Sequence, residues 1–123
     1  MPSIQPSHIA QVAVPVHDLE RARTFYRDRL GLAFLFDAPP GLAFFQCGAT
    51  RLMLSRPEGP ETPGSSLLYY AVPDAREAQR RLAGDGVAFE EEARCIARVA
   101  GKDIWLAVCR DSEGNLLGLM SEQ

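Results

Sequence analysis

Two histidines, three cysteines and one run of three glutamates are the side chains of this 123-residue chain best suited to ligating a metal or moving a proton. Their placement argues against both uses. His8 stands at a strand entry and His17 abuts a helix cap, so both read as exposed ends of elements rather than ligands. Cys47, Cys95 and Cys109 are an odd number without metal-type spacing, which reads as reduced thiols in a cytoplasm. Cys95 and Cys109 fall in strands and are expected to be small buried apolar groups. Glu90, Glu91 and Glu92 read as a solvated strand end. Arg98 and Lys102 flank the turn VAGKD and could attract an anion, but charges on loops are common. One polar residue stands out. Gln11 lies in an apolar strand and is either a donor and acceptor in a pocket or a satisfied structural amide, because a buried unpaired amide costs about 1–3 kcal/mol.

The elements that must position these residues come in two similar copies. Val12 to Phe34 reads VAVPVHDLERARTFYRDRLGLAF, and Leu68 to Phe89 reads LYYAVPDAREAQRRLAGDGVAF. Each is an alternating apolar strand, an Asp, an amphipathic helix, a Gly and a second strand. Two copies of one supersecondary unit create a cleft, where function is to be sought. Asp18 suits the N-cap of a first helix over about residues 19–30, with Leu19, Ala22, Tyr26 and Leu30 on one stripe and Gly31 as its stop. Asp74 and Glu77 have capping-box spacing, and Ala75, Ala78 and Leu82 form the second stripe, ended by Gly84 and Gly86. Strands are expected at Ile9–Val16, Leu32–Asp37, Leu42–Cys47 and Arg51–Arg56. Runs at Val87–Glu92, about Ile96–Ala100, Ile104–Arg110 and Leu116–Met120 should mirror them, with DSEGN at 111–115 as a hairpin turn. Each half reads as βαβββ. Module one spans about 8–56, module two about 66–121, and 57–65 (PEGPETPGS) is a Pro/Gly-rich connector. The whole is a single α+β domain over 1–123.

Bulk composition narrows the function classes. Net charge is −3, and Lys102 is the one lysine. Without a basic cluster, nucleic-acid binding has no electrostatic support. No apolar run is long enough to span a bilayer, and MPSIQPSHIA lacks the basic start and apolar core of a signal peptide. A cytoplasmic protein is expected, with no membrane or nucleic-acid partner.

Three segments carry a family resemblance. QVAVPVHDLERARTFYRDRLGL (11–32), with its FYRD-x-LGL stretch, RLMLSRPE (51–58) and RDSEGNLLGLM (110–120) resemble the opening strand and helix, the fourth strand and the closing hairpin of the vicinal oxygen chelate superfamily. That group includes glyoxalase I, bleomycin-resistance proteins and extradiol dioxygenases. The likeness covers nearly the whole chain, and is greatest to small single-domain bacterial members. It implies two βαβββ modules forming curved half-barrel sheets around a central cavity. In metal-dependent members each module supplies two ligands, one from its first strand and one from its last.

Carried onto this chain, those four positions are Gln11, Met53, Leu67 and Gly118. Leu67 and Gly118 have no side-chain donor, Met53 offers a soft thioether, and Gln11 is a weak neutral ligand, whereas a divalent cation needs three or four good donors. No metal and no cofactor are therefore expected, and no carboxylate pair falls on the expected cavity face. Strand parity lines that cavity with Gln11 and Ala13, with Met53 and Ser55, and with Tyr69 and Ala71; Trp105, the sole tryptophan, is expected to join them. Of Phe44 and Phe45, at least one should be core packing. The expected function is metal-independent binding of an apolar or aromatic small molecule. The alternatives are a lyase, isomerase or dioxygenase using no metal or one shared across a dimer through Gln11 with His8, and an interaction module whose cleft its own side chains fill. The resemblance also implies a homodimer.

Overall fold

The structure is a computed structural model that describes residues 3–57, 64 and 66–123. It divides into two compact units, residues 1–64 and 65–123. Most of the expected connector, residues 58–63 and 65, lies outside the described residues. Each unit is one four-stranded mixed sheet with a helix on one face, an α+β arrangement.

In the first unit, β1 (Gln11–Pro15) leads into α1 (Leu19–Thr24), then β2 (Ala33–Ala38), β3 (Leu42–Cys47) and β4 (Thr50–Ser55). The sheet order is β1-β4-β3-β2, with β1 parallel to β4 and the other pairs antiparallel. Asp18 caps α1 from an extended backbone, its carboxylate accepting the Arg21 N–H at 3.0 Å. The helix expected over 19–30 is not uniform. After Thr24 it widens into one π turn, Phe25–Arg29, closed by Leu30 N–H donating to the Phe25 carbonyl at 3.0 Å. Neighbouring residues stand about 100° apart on an α-helix. The wider turn lets the consecutive rings of Phe25 and Tyr26 both pack inward, at 6% and 2% exposure. Gly31 then takes φ +79, the left-handed stop that its position requires.

Alternation builds the core. Val14, Leu52, Leu54, Ala43 and Phe45 point toward α1 and are buried. Phe45 is fully enclosed, its ring edge-on to Phe34 at 5.4 Å and tilted against Tyr26 at 6.1 Å.

In the second unit, β5 (Leu68–Ala71) leads into α2 (Ala75–Gly84), then β6 (Phe89–Val99), β7 (Lys102–Arg110) and β8 (Leu116–Glu122), in sheet order β5-β8-β7-β6. Asp74 caps α2 by accepting the N–H groups of Arg76 at 3.0 Å and Glu77 at 3.4 Å. The reciprocal half of the capping box is not seen, because the Glu77 carboxylate pairs with Arg80. The Ala75 N–H donates to buried Ser121 Oγ at 3.0 Å, which ties the helix start to β8.

Two expectations for this unit are corrected. The runs at 87–92 and 96–100 are not separate strands but one strand, β6, with three register shifts along β7. Bulges bend a strand without ending it, so the break in alternation was not a turn. Cys95 is exposed rather than buried, because β6 is an edge strand; Cys109, at 0% exposure, is buried as expected. The 111–115 turn is held by Asp111, whose Oδ1 accepts the N–H groups of Glu113 and Asn115, each at 2.8 Å.

Candidate functional site

The face of the first sheet turned away from α1 holds four of the expected site residues. The register sets Ala13 beside Met53 and Pro15 beside Ser55, and parity puts Gln11 on the same face. The Gln11 amide donates toward Met53 Sδ at 3.8 Å, a weak bond to a thioether. Ala13, Pro15 and Ser55, with Pro57 and Gly64, line a pocket of about 120 Å³. Drug-sized ligands occupy about 300–1,000 Å³, so this is room for part of a small molecule rather than all of it.

The same face carries Phe44, and with it Phe36 and Arg51, which the sequence did not single out. Phe36 pairs with Phe44, and Phe44 with Met53. The two rings stack with centroids 4.7 Å apart, and the Arg51 guanidinium lies 5.8 Å from the Phe44 centroid. Phe36 is 46% exposed. The signal for Arg51 was present, since it shares the parity of Met53 within β4, whereas Phe44 reaches this face through its register with Met53. Phe36 was hidden by a register shift between Phe34 and Phe36 that turns it to this face.

In the second sheet, Tyr69 lies opposite Gly118 on the face turned away from α2, with Ala71 opposite Met120. The Tyr69 ring rests on the space where a side chain at 118 would stand. A Cβ there would lie 2.5 Å from Tyr69 Cδ1 and 3.3 Å from Leu106 Cδ1. Leu67, exposed, directly precedes β5 with the parity of Tyr69. Trp105 is not with them. It pairs with Ser121, which faces α2, and the Arg76 guanidinium sits 4.2 Å from its ring centroid. Its expected place beside Tyr69 is corrected: in β7 its parity is that of the helix-covered face.

The donor set does not fit a divalent cation. In the first unit Gln11 and Met53 are neighbours, an amide and a thioether. In the second, Leu67 offers nothing, and Tyr69 occupies the space from which a ligand at 118 would extend. Among the described residues no cluster of three His, Cys, Asp or Glu side chains is arranged to hold a metal ion. His8 and His17 are both exposed, with Ser7 Oγ 2.9 Å from His8 Nδ1. Three of the remaining charged candidates serve local structure. Glu90 accepts from Arg110 at 2.8 Å, Glu91 pairs with Arg94 at 3.4 Å, and Arg98 binds Asp103 at 2.9 Å. Burial, with the nearby Asp111 charge, pushes the Cys109 thiol up to about 11, so it is no nucleophile at neutral pH.

Comparison with known proteins places this geometry in a family. The profile of the Glyoxalase/Bleomycin resistance protein/Dioxygenase superfamily matches residues 8–119. The chain belongs to that superfamily, which the motifs at 11–32, 51–58 and 110–120 resembled. An antibiotic-binding protein from Streptomyces sp. CB03234 is 26% identical, with TM-score 0.79 over 98% of this chain and 100% of that one. A superfamily member from Sphaerobacter thermophilus is 22% identical, with TM-score 0.78 over 97% and 100%. A lactoylglutathione lyase from Agrobacterium tumefaciens is 24% identical, with TM-score 0.75 over 94% of each chain. The last two likenesses speak to the fold alone. The search of curated proteins gave no match. No helix among the described residues is long and apolar enough to cross a membrane.

Proposed function

We propose that this chain is a metal-independent small-molecule binding protein of the superfamily, taking an apolar or aromatic ligand on the sheet faces turned away from its helices. The carrying observation is the Tyr69 ring lying over Gly118. Where metal-dependent relatives extend a ligand from the closing strand, this chain has no side chain and an aromatic ring packed in its place. Gln11, Ala13, Met53 and Ser55 on one sheet, and Leu67, Tyr69 and Gly118 on the other, are the binding residues of this reading. Trp105 supports a helix contact instead. The antibiotic-binding relative lends the reading support from outside the chain. The two units act as modules of one domain, consistent with a family profile that runs through both. Homodimerisation and a cytoplasmic setting complete the proposal; three cysteines without a disulfide suit the latter.

Two measurements test it together. Elemental analysis of untagged protein should find no stoichiometric zinc, nickel, manganese or iron. Thermal-shift screening against planar aromatic and antibiotic-like compounds should find ligands that raise Tm in a concentration-dependent way. Stoichiometric metal, or stabilisation by no compound, would count against the reading, and bound metal would favour the lyase, isomerase or dioxygenase alternative.

A further inference from the structure

The face of the first sheet turned away from α1 is apolar or uncharged almost throughout. Strand parity and register assign it Gln11 and Ala13 from β1, Phe36 from β2, Phe44 and Gln46 from β3, and Met53 and Ser55 from β4. Arg51 is the one charged side chain among the strand residues of that face. It is exposed, its guanidinium lies over the Phe44 ring, and no carboxylate among the described residues pairs with it. The other face handles its cation differently: Arg23, from α1, binds Asp37 of β2 at 3.0 Å.

We infer that the ligand is an aromatic molecule bearing one anionic group, its ring against Phe36 and Met53 and its anion on the Arg51 guanidinium. The inference rests on the small-molecule binding reading above and adds the charge of the ligand to it. The argument is one of desolvation. A ligand that covers this face takes water from Arg51, and a neutral one leaves a guanidinium both desolvated and unpaired. An anion replaces that water with a charge-assisted, bidentate pair, which a guanidinium fork suits better than an ammonium. The Phe44 ring beneath attracts the guanidinium through its π face. Arg51 also covers Phe44, which is 8% exposed. That cover alone would call for an apolar stem, not for a charge that no carboxylate among the described residues pairs.

The test uses two dyes with the same aromatic body, anilinonaphthalene sulfonate and uncharged N-phenylnaphthylamine, titrated by fluorescence into wild type, Arg51→Gln, Arg51→Lys and Phe36→Ala. The expected result is that Arg51→Gln weakens the sulfonate dye by about tenfold, the loss of one charged hydrogen-bonded contact. The neutral dye should bind Arg51→Gln at least as tightly as wild type, because no guanidinium is then left desolvated, which also reports that the variant is folded; for the sulfonate dye Arg51→Lys should fall between. Phe36→Ala should weaken both dyes. Equal binding of the sulfonate dye by wild type and Arg51→Gln, with the neutral dye still bound, would overturn the anionic preference and leave small-molecule binding standing. Failure of both dyes to bind wild type would overturn both.

Discussion

Replacing Gly118 by Ala tests how Tyr69 is seated. The new Cβ would lie 2.5 Å from Tyr69 Cδ1, 3.0 Å from Cε1 and 3.3 Å from Leu106 Cδ1. Carbon atoms prefer about 3.5–4.0 Å, so the ring must retreat by about 1 Å. Overpacking costs about 1–3 kcal/mol, and Tyr69, 52% exposed, has room to swing partly outward, which places the cost near the middle of that range, at about 2 kcal/mol. A strand glycine gives back about 0.5–1 kcal/mol on becoming alanine. The net expectation is a loss of about 1 kcal/mol, or about 4 °C in Tm for a chain of this length. The partner of the test is Tyr69→Ala. With the ring gone, Gly118→Ala meets no clash there and should be neutral or stabilising by about 0.5 kcal/mol. Urea denaturation of the four proteins yields the coupling energy, about 1–2 kcal/mol. An unchanged cost of Gly118→Ala in the Tyr69→Ala background would refute the packing of that ring on the closing strand, and with it the main support for metal-free binding.

Three further outcomes are expected. Phe45→Ala, which empties a fully enclosed site between Tyr26 and Phe34, should cost about 3–5 kcal/mol by denaturant titration, while Phe36→Ala on the other face costs well under half of that; equal losses would contradict the assignment of faces. Thiol titration at neutral pH should find Cys95 reacting fast and Cys47, half-buried, more slowly; Cys109 should react only after unfolding, and its rapid labelling in folded protein would contradict its burial. Burial alone would raise the Asp74 carboxyl, but the N–H groups of Arg76 and Glu77 and the Arg76 charge outweigh it and hold the group below its ordinary 3.8. A depressed carboxyl stabilises the fold above its unfolded value and loses that contribution as pH falls through the folded one. The stability gap between wild type and Asp74→Asn should therefore shrink as pH drops below about 4, and a gap that widens there would sink the assignment.

The repeat made most of the fold legible. Alternation in QVAVP and LYYA, Asp at both caps and Gly at both helix ends are local signals with local causes, and the structure keeps each of them. What the sequence concealed depends on partners far along the chain. The bulges in β6 break its alternation and mimic a turn, yet they arise from pairing with β7. The π turn after Thr24 answers a tertiary demand, to bury Phe25 and Tyr26 together, that a single stripe on a helical wheel does not express.

The misplacement of Trp105 teaches most about the site. Tyr69 and Trp105 both read as aromatic residues in strands, but parity is counted within a strand and does not carry to the next one without the register. The register pairs Trp105 with Ser121 and Tyr69 with Gly118, and 118 and 121 stand on opposite faces of β8. A three-residue difference in one strand thus separates a helix contact from a candidate ligand contact. The same logic singles out Arg51 in the first sheet. It shares parity with Met53, a residue chosen because relatives place a metal ligand there. In the proposed reading, that face lacks the several converging donors that a metal needs and offers one guanidinium, which is enough to pair with an anion.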